Sequence, residues 1–214
     1  MKLYGYFRSS ASFRVRIALA LKAIDYDHMP VQLLNNGGEQ YQADYTQINP
    51  QQLVPSLVDG DIVITQSLAI IEYLDAKYPD NSLLIPKDIC LAAKARQIAY
   101  AIACDIHPLN NLRVLQYLQN ELNIDDQAKN IWYQHWVLAG FTALEKILVE
   151  TAGEYCLDNH LSLADICLIP QVYNAKRFNC DLTRFPQILA IYEHCMEHAA
   201  FVQAAPENQP DSPM

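Results

Sequence analysis

No stretch of this 214-residue chain approaches the roughly 20 consecutive apolar residues a membrane-spanning helix requires. The opening residues Met1-Lys2-Leu3-Tyr4-Gly5 also lack the long apolar core of a secretory signal, so the chain is expected in the cytosol and off the membrane. Basic residues are scarce: 15 Lys and Arg face 24 Asp and Glu, a formal charge of -9. Affinity for a phosphate backbone needs a clustered surplus of cations, so nucleic acid is excluded as a partner. The six cysteines include no Cys-x-x-Cys pair, and most lie inside apolar helical patterns where a reduced thiol acts as a small buried hydrophobe. Cys104 and His107 share a helix face, but no second spaced pair accompanies them, so no metal site is expected. What the chain does have is a 51% hydrophobic content, enough for a sizeable core in one large domain or two small ones.

The first eighty residues alternate in type. Residues 2–7 are short and aromatic-rich and read as a strand; residues 10–23 carry Val15, Ile17, Ala18, Leu19 and Leu21 on an apolar helical face. Residues 26–33 read as a second strand, Asn35-Asn36-Gly37-Gly38 as a loop, and Asp59-Gly60 as the turn of a hairpin between 56–58 and 62–64. A helix over 66–77 closes the unit. This order, a βαβ crossover followed by a hairpin and a helix, is that of the thioredoxin-like fold. From 88 to about 199 the pattern repeats at three and four residues, which predicts an all-helical second domain. Its first helix bears the stripe Ala95, Ile98, Ala99, Ile102, Ile106 and should kink at Pro108; others are predicted over 132–151, 162–177 and 186–199. The fold class is thus α/β plus all-α, with domains at 1–80 and 86–214. A tail containing Pro206, Pro210 and Pro213 is expected to be loosely held.

Ser9 and Ser10 lie where the first strand becomes the first helix. A helix N-terminus offers N–H donors and partial positive charge, and so stabilises an anion such as a thiolate. Lowering a thiol pKa by two units takes about 2.7 kcal/mol. One charge-assisted hydrogen bond of about 1.5–3 kcal/mol and a helix terminus of about 0.3–1 kcal/mol cover that. Taken alone, either serine reads first as an N-cap. Val54-Pro55 precedes a strand, and in thioredoxin-like folds a cis proline here leaves the preceding backbone free to pair with a peptide ligand. Gln66-Ser67 opens a further helix suited to a carboxylate. A tripeptide bearing a thiol and a charged amino-acid end, such as glutathione, fits this set. Arg14 and Arg16 read as partners of carboxylates in the second domain, and Ser162 with Asp165 as a capping box.

The run Arg8-Ser9-Ser10-Ala11-Ser12-Phe13-Arg14-Val15-Arg16-Ile17-Ala18-Leu19 resembles the signature of the zeta class of glutathione transferases. Gly37-Gly38-Glu39-Gln40, Asn49-Pro50, Gln66-Ser67-Leu68-Ala69-Ile70-Ile71-Glu72-Tyr73-Leu74 and Ala164-Asp165-Ile166-Cys167-Leu168-Ile169-Pro170-Gln171-Val172 extend the likeness, which runs to Gln209-Pro210-Asp211. The resemblance implies a thioredoxin-like domain that binds glutathione, followed by a helical substrate domain. It implies that Ser9 holds the glutathione sulfur as thiolate with Ser10 beside it, that Val54 pairs with the cysteinyl backbone, and that Gln66 and Ser67 hold the γ-glutamyl end with help from Gln40. His107, Asn111 and Arg113 would line the site from the helical domain, and Arg8 and Arg177 would meet the carboxylates of a small acidic diketo-acid. The implied activity is glutathione-dependent isomerisation of maleylacetoacetate to fumarylacetoacetate in tyrosine and phenylalanine breakdown, by a homodimer. Three departures stand out: Ala11 where a cysteine is common, and His107 and Arg113 in place of a glutamine and a serine. They leave open maleylpyruvate as substrate, a broader zeta-type transferase, and a binding module without chemistry.

Overall fold

The computed structural model describes residues 1–213. Backbone contacts divide the chain into two compact units, Met1–Leu84 together with Met196–Met214, and Ile85–Cys195. The first unit runs β1 (Lys2–Gly5), α1 (Ser10–Leu21), β2 (Asp27–Pro30), α2 (Ala43–Ile48), β3 (Ser56–Asp59), β4 (Ile62–Thr65) and α3 (Ser67–Lys77). Its sheet has the order β2-β1-β3-β4, with β1 and β2 parallel and the other neighbours antiparallel. Leu3 and Leu57 are cross-strand partners and both are fully buried. They join Ile17, Leu19, Ile70, Ile71 and Leu74 in one apolar core, as the helical periodicity of 10–23 and 66–77 requires. Gly60, at φ +61°, supplies the left-handed position of the β3–β4 turn.

Charged side chains are sunk in this unit, Arg14, Arg16 and Lys22 among them. Lys22 is fully buried at the end of α1, and its ammonium meets Asp75 Oδ1 at 2.8 Å, Tyr78 O at 3.1 Å and Ser82 O at 2.9 Å. Asp75 Oδ1 also accepts Leu84 N–H at 2.9 Å, so the segment leaving α3 is tied back to α1. An ammonium whose three donors are all used is the form in which a buried lysine is tolerated.

The second unit holds α4 (Ile89–Tyr100), α5 (Leu112–Asn120), α6 (Asp126–Thr151), α7 (Leu163–Arg177) and all but the end of α8 (Pro186–Glu197). Asp88 caps α4 by accepting Cys90 N–H and Leu91 N–H, and Asp125 caps α6 at Ala128 N–H. Ser162 and Asp165 form the expected capping box of α7. The Asp165 carboxylate is fully buried, and accepts Cys156 N–H at 2.7 Å and Ser162 N–H at 2.8 Å. The helical path bends before Pro108. A π-helical turn over Ala101–Ile106 follows α4, and a 3-10 turn over His107–Asn110 then carries the proline at an early position, where its missing N–H does no harm. Ile106 leans on α6 at Gly140, where an added Cβ would lie 2.3 Å from Ile106 Cδ1, so the bend needs a glycine opposite it.

Several expectations are corrected. Helix α6 begins six residues earlier than the apolar pattern predicts, because Asp125 caps it. Helices α2 and α5, and the short α9 (Ala199–Ala204), were not anticipated. The residues after Met196 group with the first unit instead of the helical one, and the tail is held. Phe201 is fully buried, Gln209 Nε2 donates to Gln203 O and Ala205 O, and Asp211 bonds to Phe7 and His28. Of the cysteines, Cys156, Cys167, Cys180 and Cys195 are buried, while Cys90 and Cys104 are exposed. Burial pushes the Cys180 thiol up to about 11 and raises those of Cys156 and Cys195 as well, which makes them packing groups and not nucleophiles. Among the described residues no helix is long and apolar enough to cross a membrane.

Candidate active site

Strand direction decides where the chemistry of the first unit gathers. β1 and β4 both run antiparallel to β3, so their C-terminal ends lie beside its N-terminal end, where Val54-Pro55 enters. β2 runs parallel to β1, so the loop that follows it, containing Gln40, leaves from the same end of the sheet. Helices α1 and α3 start directly after β1 and β4 and therefore begin at that end too. Arg8, Ser9, Ser10, Gln40, Val54, Gln66 and Ser67 are brought together by this topology.

Ser9 is the N-cap of α1. Its Oγ accepts Ser12 N–H at 3.2 Å, and its carbonyl accepts Phe13 N–H at 2.8 Å. Capping uses the oxygen as acceptor, so the hydroxyl proton remains to be donated outward, and Ser9 is half-buried with room to do so. The Ala11 N–H has no partner among the described residues, and it adds a second donor at the helix start. Ser10 is buried in the first turn. Arg8 stands before them with its guanidinium 5.4 Å from the Phe7 ring and 3.4 Å from the Tyr6 hydroxyl. Among the described residues it forms no ion pair.

Val54-Pro55 is a cis peptide, as expected of a thioredoxin-like fold. The Val54 backbone makes no hydrogen bond among the described residues, although it continues the line of β3. The start of α3 is equally open. Gln66 is its N-cap at φ 70°, ψ 116°, a conformation that costs a non-glycine residue on the order of 1–3 kcal/mol, and its side chain does not cap the helix but bonds Gln51 at 2.9 Å. The N–H groups of Leu68 and Ala69 are left without a partner among the described residues. Ser67 is buried, and its Oγ accepts from Arg14 at 3.3 Å. Gln40 is buried behind Gly38, donates to Leu33 O at 3.4 Å, and has an Oε1 with no partner. Glutathione carries groups that suit these open donors and acceptors in kind: a thiol for the α1 terminus, a peptide backbone for Val54, a carboxylate for the α3 terminus and an N–H donor for the Gln40 carbonyl.

The residues assigned to the helical unit fall in two places. His107 opens the 3-10 turn, Asn111 is the N-cap of α5, and Arg113 is exposed in its first turn. Asn111 Oδ1 accepts Arg113 N–H at 3.2 Å, so its oxygen serves the helix. Arg177 ends α7 with its guanidinium 4.7 Å from the Phe178 ring, which stacks on Tyr133 at 3.6 Å. Burial drives the Tyr133 phenol up against the opposing effect of the Arg177 charge. Tyr133 O accepts the Asn110 amide at 3.2 Å, which links this stack to the His107 turn.

Sequence reasoning read Arg14 and Arg16 as partners of carboxylates in the second domain, and assigned no role to Asn110 or Asp211. Arg14 and Arg16 reach into their own unit: Arg14 to Ser67, and Arg16 to Tyr6 O, Phe7 O and Ala204 O. A carbonyl partner carries no charge and leaves no trace in a charge pattern. Asp211 contacts a residue 204 positions away, which local spacing does not encode.

Residues 1–76 match the N-terminal domain of glutathione S-transferase. A probable maleylacetoacetate isomerase of Vibrio cholerae is 52% identical over 210 residues, covering 98% of this chain and 97% of that one. Among solved structures, a bacterial zeta-class maleyl pyruvate isomerase in its holo form superposes with TM-score 0.96 at 43% identity over the whole of both chains. A maleylacetoacetate isomerase of Methylobacterium extorquens AM1, with bound malonate and GSH, gives TM-score 0.95 at 36% identity, again over both full chains. With the strand–helix junction, the cis proline and the open α3 terminus in place, this likeness over full length identifies the chain as a member of the zeta class of the glutathione S-transferase family.

Proposed function

We propose that the chain is a glutathione-dependent cis–trans isomerase that converts maleylacetoacetate to fumarylacetoacetate. The observation that carries this reading is the convergence, at one end of one sheet, of two helix N-termini with open donors and an unpaired strand backbone at Val54. Bound glutathione supplies a sulfur nucleophile that adds reversibly to the conjugated cis double bond, leaving a single bond free to turn. The Ser9 hydroxyl donates a hydrogen bond to that sulfur, keeping its own proton and holding the sulfur ionised, with Ser10 and the Ala11 N–H beside it. Val54, Gln40, Gln66 and Ser67 hold the tripeptide so that the sulfur meets Ser9. Arg8 and Arg177 take the two carboxylates of the substrate, a task for which a planar guanidinium fork is suited. Cationic groups there also stabilise negative charge that develops on the substrate oxygen. His107, Asn111 and Arg113 belong to the same binding role from the helical unit.

The reading extends to a cytosolic homodimer acting in tyrosine and phenylalanine breakdown, on family kinship. Maleylpyruvate is the second substrate to consider, since it shares the cis double bond and the terminal carboxylates. The assay is loss of the maleyl absorbance in the presence of glutathione, run on both substrates. A higher kcat/KM for maleylacetoacetate is expected; the reverse ranking assigns maleylpyruvate, and glutathione binding without turnover of either assigns a binding module.

A further inference from the structure

The turn that presents Arg8 and Ser9 is held from both sides by groups far away in sequence. Ser9 N–H closes it on Tyr6 O at 3.0 Å. The buried Arg16 guanidinium donates to Phe7 O at 2.9 Å and Tyr6 O at 3.5 Å, and its Nε donates to Ala204 O at 2.9 Å. On the other side, Phe7 N–H donates to Asp211 Oδ2 at 2.9 Å, while the second oxygen, Oδ1, accepts His28 Nε2–H from β2, also at 2.9 Å. The Asp211 side chain is only 4% exposed, and Phe7 is buried. His28 Nδ1 is buried without a partner, so the ring is committed to the aspartate.

We infer that Asp211, in the C-terminal tail, is a positioning residue for the isomerase reaction: its carboxylate, braced by His28, fixes the Tyr6–Phe7 peptide, whose carbonyl accepts Ser9 N–H, and thereby the direction of the Ser9 hydroxyl. The inference rests on the reading that Ser9 holds the glutathione sulfur. The Tyr6–Phe7 peptide is pinned at its C=O by Ser9 N–H and Arg16 and at its N–H by Asp211, and Arg16 also holds the next carbonyl, Phe7 O, so neither plane is free to tilt. Removing the Asp211 anchor leaves a buried N–H to find a new acceptor, and the peptide must turn to do so. A hydrogen bond to a reacting sulfur is sensitive to such a change, because misplacement by about 1 Å can cost on the order of a hundredfold in rate. The tripeptide's other positions, at Val54, Gln66 and Ser67, lie at the entries to β3 and α3 and do not pass through this turn. Loss of Asp211 therefore separates catalysis from glutathione affinity.

The test compares full-length wild type, Asp211→Ala and Asp211→Asn for kcat on maleylacetoacetate, for glutathione Kd by calorimetry, and for thermal unfolding. Asp211→Ala is expected to lower kcat about tenfold while glutathione Kd shifts by less than about threefold. Asp211→Asn, which keeps an acceptor oxygen for Phe7 N–H, is expected to recover most of the loss. A folded Asp211→Ala enzyme with wild-type kcat overturns the inference. So does glutathione affinity falling as far as kcat, or an Asn variant no better than Ala. Should Asp211→Ala not fold at the assay temperature, His28→Ala carries the test. A lowered kcat at held glutathione affinity then supports the inference, and an unchanged kcat overturns it. Wild-type protein without glutathione-dependent turnover would defeat the functional reading, a result separate from either.

Discussion

Replacing Ser9 probes two roles of one oxygen atom, and the structure lets them be separated. As acceptor of Ser12 N–H at 3.2 Å, Ser9 caps α1, and loss of such a cap costs about 1 kcal/mol of stability, within a range of roughly 0.5–2. As donor to a bound thiolate it makes a charge-assisted hydrogen bond of about 1.5–3 kcal/mol. At 1.36 kcal/mol per pKa unit, that bond holds the bound thiol about 1–2 units lower than the helix terminus alone would. Ser9→Ala should therefore lose about 1 kcal/mol in urea unfolding, and its kcat near pH 7 should fall about ten- to a hundredfold. Ser9→Asp keeps a good capping oxygen but places a negative charge beside the sulfur. Its unfolding free energy should stay within about 0.5 kcal/mol of wild type, while its activity drops below that of Ser9→Ala. Steady-state kinetics and urea titration on the same preparations decide the matter. A Ser9→Ala enzyme that is less stable yet turns over at the wild-type rate would leave Ser9 as a helix cap and nothing more.

Arg177→Ala should raise KM for the diacid strongly and leave glutathione Kd nearly unchanged; equal losses in both would remove Arg177 from the carboxylate role. Gly38→Ala forces a side chain onto φ +98° and puts its Cβ 2.6 Å from both amide heteroatoms of Gln40. The displaced Gln40 should weaken glutathione binding several-fold in calorimetry, whereas unchanged affinity would exclude Gln40 from the site. Lys22→Ala breaks a buried ion pair and strips two carbonyls of their donor, so urea unfolding should show a loss of about 3–5 kcal/mol; a loss under about 1 kcal/mol would mean the buried Asp75 finds another partner.

Elements whose signals are local were legible in the sequence. The β1–α1 junction, the Asp59-Gly60 hairpin and α3 occur within a few residues of their expected bounds because apolar periodicity and turn chemistry act over short spans. The Ser162–Asp165 box was readable for the same reason. The bend near Pro108 was anticipated, but its π-helical start at Ala101 depends on Ile106 fitting over Gly140, a contact between distant positions. The tail gave the most misleading signal. Three prolines suggested looseness, yet Asp211 and Gln209 tie the segment down through bonds to Phe7, His28 and two backbone carbonyls. In the site, Ser9 and Gln66 could be named from helix starts. The positive φ of Gln66, the orphaned Gln40 oxygen and the Arg16 grip on the turn are products of packing that no residue pattern displays.

The central claim is that a neutral serine hydroxyl and a helix start keep the bound sulfur ionised. Ultraviolet titration of the binary complex with glutathione, followed near the thiolate absorption band, measures this directly. The account predicts a bound thiol pKa about two units below that of a free thiol, which is about 8.5, with the thiolate signal developed near neutrality. A sulfur still protonated above pH 8 in the complex would contradict it.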